Sequence, residues 1–228
     1  MITYLASPRN QLQADACIDM PVLVSYVTWS PWMTRCQQSW GSLLIDSGAY
    51  SEHTGNAMVD IEKYRDFVAE WGWRAEAVAG LDDISGNWRR SMRNYQQIES
   101  TFPTYHDTDP SELLDELVAM SKERGGWLGI GLKPPRQGKE DWLRQTMERI
   151  PDDIHVHGWA LRLYRNKIAG FSSMDSTNWF RDAMLLRGTT ALAPLTFGEC
   201  LHIIVKRYKR EKNVVPDKGE SQLFLDIT

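Results

Sequence analysis

The sequence predicts an α/β fold, a (β/α)8 TIM-like barrel formed as a single domain over residues 1–228. Three observations carry that expectation. Short apolar runs alternate with helical patterns from one end to the other, the mark of βα units around a parallel sheet. Eight such runs occur in 228 residues, a length at which α/β barrels of about 200 to 250 residues form one unit. No linker-like Pro/Gly/Ser stretch, internal repeat or low-complexity segment divides the chain.

The elements follow in order. Strands are expected at Ile2–Ala6, Val22–Val27, Leu43–Asp46, Ala77–Leu81, Phe102–His106, Leu128–Leu132, Ile154–Gly158 and Phe171–Met174. Helices are expected at Asn10–Asp19, Asp60–Trp71, Trp88–Ser100, Ser111–Arg124 and Lys139–Ile150. Asp109-Pro110-Ser111-Glu112 reads as a helix start, because an Asx cap satisfies an orphan amide and Pro at the first turn lacks one. Asp175-Ser176-Thr177-Asn178 offers a second such start, leading into Trp179–Arg187. A last amphipathic helix, about Phe197–Lys212, ends in a basic run that reads as a solvated helix end or a phosphate-contacting patch. Ala191–Leu195 is a candidate ninth strand.

Composition narrows the function classes. Hydrophobic residues at 42% and charged residues at 25% allow a sizeable buried core and exclude a disordered or fibrous chain. A net charge of −4 gives no global attraction to nucleic acid, which would have to be held by a local basic surface such as Arg89, Arg90 and Arg93 or Lys206–Lys212. Cys17, Cys36 and Cys200 are odd in number and far apart, so they make neither a CxxC zinc pattern nor a disulfide framework, and a reducing cytoplasm is expected. No signal-peptide pattern and no membrane-length apolar run is present. The ten Trp residues suit packing or stacking on bases and sugars alike. The first βα turn reads SPRNQ, without G-x-G-x-x-G, and no P-loop occurs. No cofactor is therefore expected.

In a barrel the residues at the carboxyl ends of the strands line the active face. Asp46-Ser47-Gly48 closes the third strand, Asp82-Asp83 the fourth and Asp175-Ser176-Thr177 the eighth. An Asp at the end of an apolar strand is partly desolvated, which raises its pKa unless hydrogen bonds compensate. Capping explains one or two such acids. Three on one face would make a cavity with acid/base capacity. His106-Asp107 and Lys133-Pro134 mark two further exits. Gly129 and Gly131 cost strand stability, and either admit a flat ligand or relieve crowding inside the barrel. His155 and His157 share a strand face, as metal-binding HxH pairs do, but the pair comes late and only His53, His106 and His202 remain as partners. Packed or substrate-orienting histidines are preferred, and no metal site is expected.

These strand-end motifs resemble the tRNA-guanine transglycosylase family, above all its short phage and bacterial relatives of deazaguanine DNA modification. LLIDSGAYS resembles that family's DSGGFQ segment, VAGLDDISGN its base-pocket aspartate, WLGIGLK its Gly-rich strand, and FSSMDSTNW the segment of its nucleophile. The resemblance spans about Leu43 to Trp179, and the zinc-site cysteines of the tRNA enzymes are missing.

The resemblance implies a pentosyltransferase exchanging guanine in a nucleic acid, DNA rather than tRNA, for a free 7-deazaguanine-type base. It implies Asp175 as nucleophile in a double displacement and Asp46 as general acid/base. Asp82 and Asp83 would accept hydrogen bonds from the base, with Ser47, Gly48, His106, Gly129, Gly131 and Lys133 around it. Rival readings are a nucleoside or nucleotide glycosidase, a metal-dependent barrel hydrolase using His155 and His157, and a non-catalytic nucleic-acid-binding protein.

Overall fold

A computed structural model describes residues 1–134, 137–189 and 195–211. Its strands are β1 (Ile2–Ala6), β2 (Pro21–Ser25), β3 (Ser42–Asp46), β4 (Ala77–Val78), β5 (Thr104–His106), β6 (Trp127–Gly131), β7 (His155–Gly158) and β8 (Ser173–Ser176). All neighbours pair in parallel in the order β4-β3-β2-β1-β8-β7-β6-β5. The two edge strands meet at a single bridge, Ala79 to Phe102, so the curled sheet closes on itself. The expected α/β barrel is what the chain forms.

Helices α1 (Gln11–Ala16), α2 (Met33–Cys36), α3 (Ala49–His53), α4 (Ile61–Trp71), α5 (Trp88–Gln97), α6 (Leu113–Glu123), α7 (Glu140–Glu148), α8 (Asn178–Thr189) and α9 (Phe197–Glu211) lie in the connections between the strands and after β8. Their apolar faces and the outward faces of the strands form two buried clusters. One gathers around β1, β2, β3, α1, α8 and α9, the other around β5, β6, β7 and α6. A third cluster, Tyr4, Ala6, Leu23, Leu44, Ala79, Phe102 and Trp127, fills the barrel itself. The alternation of side chains along a strand produces this division, every second residue facing inward.

Several boundaries differ from the sequence expectation. β2 stops at Ser25 because Tyr26–Thr28 winds into a 3-10 turn. β4 keeps only two paired residues. β8 begins at Ser173 and includes Asp175, which therefore lies within the strand opposite Tyr4 and not in the turn after it. α2 and α3 were not anticipated; each spans little more than one turn, too short for a 3.6-residue periodicity to register. The candidate strand at Ala191–Leu195 falls almost wholly on 191–194, outside the described residues, as does the basic run's end at Lys212. Among the described residues no helix is long and apolar enough to cross a membrane.

Candidate active site

Inward parity places Ser25, Asp46, His106, Gly131 and Asp175 at or near the carboxyl rim of the barrel. Ser25 and Asp46 are direct partners in the β2–β3 register, and His106 and Gly131 in the β5–β6 register. Asp46, at the end of β3, keeps only part of its surface open. Burial pushes its pKa to about 6, and the charges of Asp82 and Asp175 push the same way, while the neighbouring Ser25 hydroxyl works against them. Three acids from three separate strand segments thus share one electrostatic environment.

The Asp82-Asp83 pair divides its labour. Asp82 turns inward and meets His106 Nε2 at 2.5 Å. Burial opposes a charged His106 ring, but the hydrogen bond and charge of Asp82 outweigh it, and the pKa of His106 rises. The His106 backbone N–H donates to Asp109 at 2.8 Å, which fixes the strand exit. Asp83 faces away. It accepts from the Ser85 N–H at 2.9 Å and pairs with Arg90 at 3.2 Å, and its pKa is lowered because these bonds overcome a partial burial that acts the other way.

Ser47 is fully buried, and its Oγ accepts from the Ala49 N–H at 3.4 Å, opening α3. Gly48 has φ +88°, and a Cβ there would stand 2.6 Å from a Val27 methyl, so only glycine fits both the conformation and the space. Together they turn the chain away from β3 and leave Asp46 at the rim.

Asp175 Oδ1 accepts the Ala160 N–H at 2.5 Å, from a residue held at φ 52°. His157 Nε2 lies 3.7 Å from the same oxygen. The two glycines of β6 give their space to the barrel's own side chains. A Cβ on Gly131 would come within 2.5 Å of the His106 ring, and one on Gly129 within 2.5 Å of Thr104 Oγ1 and 2.4 Å of Trp159 Nε1. Lys133 stands on the rim, its backbone N–H donating to Asp107 at 2.8 Å and its Nζ 3.4 Å from the Ser85 carbonyl. Of the expected site residues the structure brings Asp46, Asp82, His106 and Asp175 to one end of the barrel, with Gly131 making room for the His106 ring. Asp83 and Lys133 are engaged outside that group, and Gly129 lies one layer deeper.

Sequence reasoning passed over Ser25 and gave no role to Trp159. Ser25 ends β2 as Asp46 ends β3, a signal visible once the two strands are taken as neighbours. Trp159 follows the HxH pair at the same parity. Its ring stacks on Phe102 and meets His157 edge-on at 4.4 Å, and its Nε1 donates to Thr104 at 3.1 Å. Among the described residues no group of three or more His, Cys, Asp or Glu side chains is placed to hold a metal ion.

No protein-family model matches the chain, and no curated protein matches it. Solved structures do. One described as a fructose-1,6-biphosphate aldolase from Coccidioides immitis superposes with a TM-score of 0.56 at 11% identity, over 92% of this chain and 90% of its own. Another, described as native KDPGal, gives a TM-score of 0.47 at 13% identity over 92% and 94%. The first likeness supports the barrel as the fold. That first likeness, to a structure described as an aldolase, overturns the transglycosylase resemblance, and with it the base-exchange function, the pentosyltransferase class and the 7-deazaguanine substrate expected above. The short motifs that suggested them, DSGAYS and MDSTNW, have local accounts in this fold: Ser47 and Gly48 turn the chain into α3, and the Ser176 hydroxyl accepts from the Asn178 N–H at 3.1 Å at the start of α8.

Proposed function

We propose that this chain is an acid–base enzyme of the lyase type, acting on a small hydroxylated carbonyl compound at the carboxyl rim of the barrel. One observation carries the reading: Asp46 is poised at about 6 beside two further inward carboxylates. A general acid/base works best when its pKa lies near the working pH, since both protonation states are then available within one turnover. Asp46 takes a proton from a substrate hydroxyl or from the carbon next to a carbonyl and returns it to the product. Asp82, clamped by His106, and the outward oxygen of Asp175 accept hydrogen bonds from substrate hydroxyls. The aldolase description of the similar barrel bears on the reaction type only as a guide to which substrates to try first. The three buried cysteines are unpaired thiols, which fits a reducing compartment such as the cytoplasm.

The test is a panel of hydroxy-aldehydes, hydroxy-ketones and hydroxy-keto acids incubated with the protein in D2O. Carbon–carbon cleavage, or deuterium uptake next to the carbonyl, is expected with at least one compound. Asp46→Asn should then lower the rate by about 10²- to 10⁴-fold. Absence of both signals across the panel, or full activity in Asp46→Asn, overturns the reading.

A further inference from the structure

Beneath Asp175 the barrel interior holds a line of polar side chains that the proposed function leaves unused. His155 Nε2 is 2.9 Å from Ser173 Oγ, and Ser173 Oγ is 2.9 Å from His157 Nδ1. His157 Nε2 then faces Asp175 Oδ1 at 3.7 Å. Ser173 and His157 are completely buried, and His157 Nε2 has no hydrogen-bond partner among the described residues. Aromatic rings wall the line off from water. Trp127 stacks on His155 at 3.6 Å, and Tyr4 and Trp159 meet His157 edge-on at 5.8 and 4.4 Å. The charged and titratable groups acting on it are Asp175 at its upper end, and Glu76 and the Met1 amino group, whose charges reach His155, at its lower end. Tyr4 donates its hydroxyl proton away from the line, to Glu76 at 2.7 Å.

A serine hydroxyl between two imidazoles has one proton to give and must accept from the other side. With both rings neutral, only two arrangements satisfy it. In one, His155 donates from Nε2 to Ser173, Ser173 donates to His157 Nδ1, and His157 carries its proton on Nε2, facing Asp175. In the other every bond is reversed, and His157 turns a lone pair toward Asp175. An ionised Asp175 is compatible with the first and repelled by the second.

We infer that Ser173 and His157 are positioning residues for Asp175, forming a buried relay that holds an N–H toward its carboxylate and carries protons between it and the amino-terminal face of the barrel. When Asp175 needs a proton to give in turnover, the relay supplies it. His157 passes its Nε2 proton to Asp175, Ser173 passes its own to His157 Nδ1, and His155 passes its Nε2 proton to Ser173 Oγ, while the half-buried His155 takes one from water on Nδ1. Every residue but Asp175 ends with the proton count it began with. The 3.7 Å gap is of the kind that closes when substrate is bound.

The proposal rests on Asp175 serving the site described above, but its test is independent of turnover. Nitrogen-15 NMR of the full chain labelled at histidine reads which ring nitrogen of His157 is protonated. At neutral pH the Nε2–H form is expected, with a cross-peak between the His157 and Ser173 protons. Ser173→Ala should abolish that preference and uncouple the titrations of His155 and His157, whereas Ser173→Cys should retain part of the coupling. A wild-type His157 protonated on Nδ1 at neutral pH overturns the relay, as does an unchanged tautomer in a folded Ser173→Ala. The wild-type measurement decides the matter even if that variant fails to fold. An inactive protein with the Nε2–H form would sink the lyase reading and leave the relay standing; an active one with the Nδ1–H form would do the reverse.

Discussion

Asp46 shows why an acid at a strand end is worth separating from a cap. Raising a carboxyl from its ordinary value to about 6 corresponds to a cost on the order of 3 kcal/mol once it is ionised, at about 1.4 kcal/mol per unit, whereas an Asx cap contributes about 1 kcal/mol. That imbalance supports the acid/base role proposed for Asp46. Because the folded pKa is raised, the folded state binds the proton more tightly than the unfolded chain does, and stability falls as pH rises from about 4 to about 6. Asp46→Asn should therefore stabilise the protein by about 1–3 kcal/mol at pH 7 and flatten that window, as urea titrations at pH 4.5 and 7 would show. Activity should move the other way, since the base form of Asp46 appears through about pH 6 and the rising limb of the rate profile disappears with the carboxylate. The adjacent acids make a sharper pair. Asp82→Asn removes the partner of His106 and is expected to return that ring to a lower pKa by NMR titration. Asp83→Asn, whose side chain serves Ser85 and Arg90, should leave His106 and turnover as they are.

The elements divide into those that periodicity announces and those that contacts impose. α4 and α5 begin at Asp60 and Asn87, whose side chains accept from Glu62 and Lys63 amides and from the Arg90 amide, and both helices start within one residue of where the sequence predicts them. Asp60→Ala should cost about 1 kcal/mol, measurable as a lower urea midpoint with an unchanged slope. α4 also carries Tyr64, whose hydroxyl donates to the Ala79 carbonyl at 2.6 Å, so fraying of its first turn should raise amide exchange around Ala79 as well. The eight strands were legible too, because apolar runs between turn signals survive any error at their ends. Their last residues were not. A displacement of two residues in β8 carried Asp175 from a turn into the strand without changing its inward parity, while the choice between Asp82 and Asp83 had no signal in the sequence, since adjacent residues at a strand exit differ only in which way the backbone turns. Ser25, Ser173 and Trp159 escaped for a different reason: each acquires its role from a partner 16 to 55 positions away (His157 to Ser173, Trp159 to Thr104) or from the neighbouring strand, and no local pattern records such pairings.

At the scale of the molecule the barrel is closed unevenly. Seven strand pairs run in regular ladders, but β4 and β5 are joined only around one bridge, with Phe102 N–H donating to Val78 at 2.9 Å and Gly80 N–H to Phe102 at 2.8 Å. Below that bridge the seam widens into a polar cavity of about 240 Å³ between Glu76, Arg124 and Trp127. The seam is held shut mainly by side chains, with Phe102 in the interior cluster and the Tyr95 hydroxyl donating to the Thr104 carbonyl. Gly80 sits where these parts converge, and a Cβ there would stand 2.5 Å from the Tyr95 ring and 3.2 Å from the Phe102 carbonyl. Neither neighbour is free to yield: Tyr95 is fully buried, and the carbonyl belongs to the bridging backbone. Gly80→Ala should thus cost about 1–3 kcal/mol, as overpacking in a dense core does, and the loss should localise. Hydrogen exchange is expected to accelerate at Gly80, Phe102 and Thr104 while amides of β1, β2 and β8 on the far side keep their protection, because sub-global opening begins where the fewest backbone bonds must break. Uniform acceleration around the ring would instead mean that the barrel opens as one cooperative unit, with β4–β5 no weaker than the other seams.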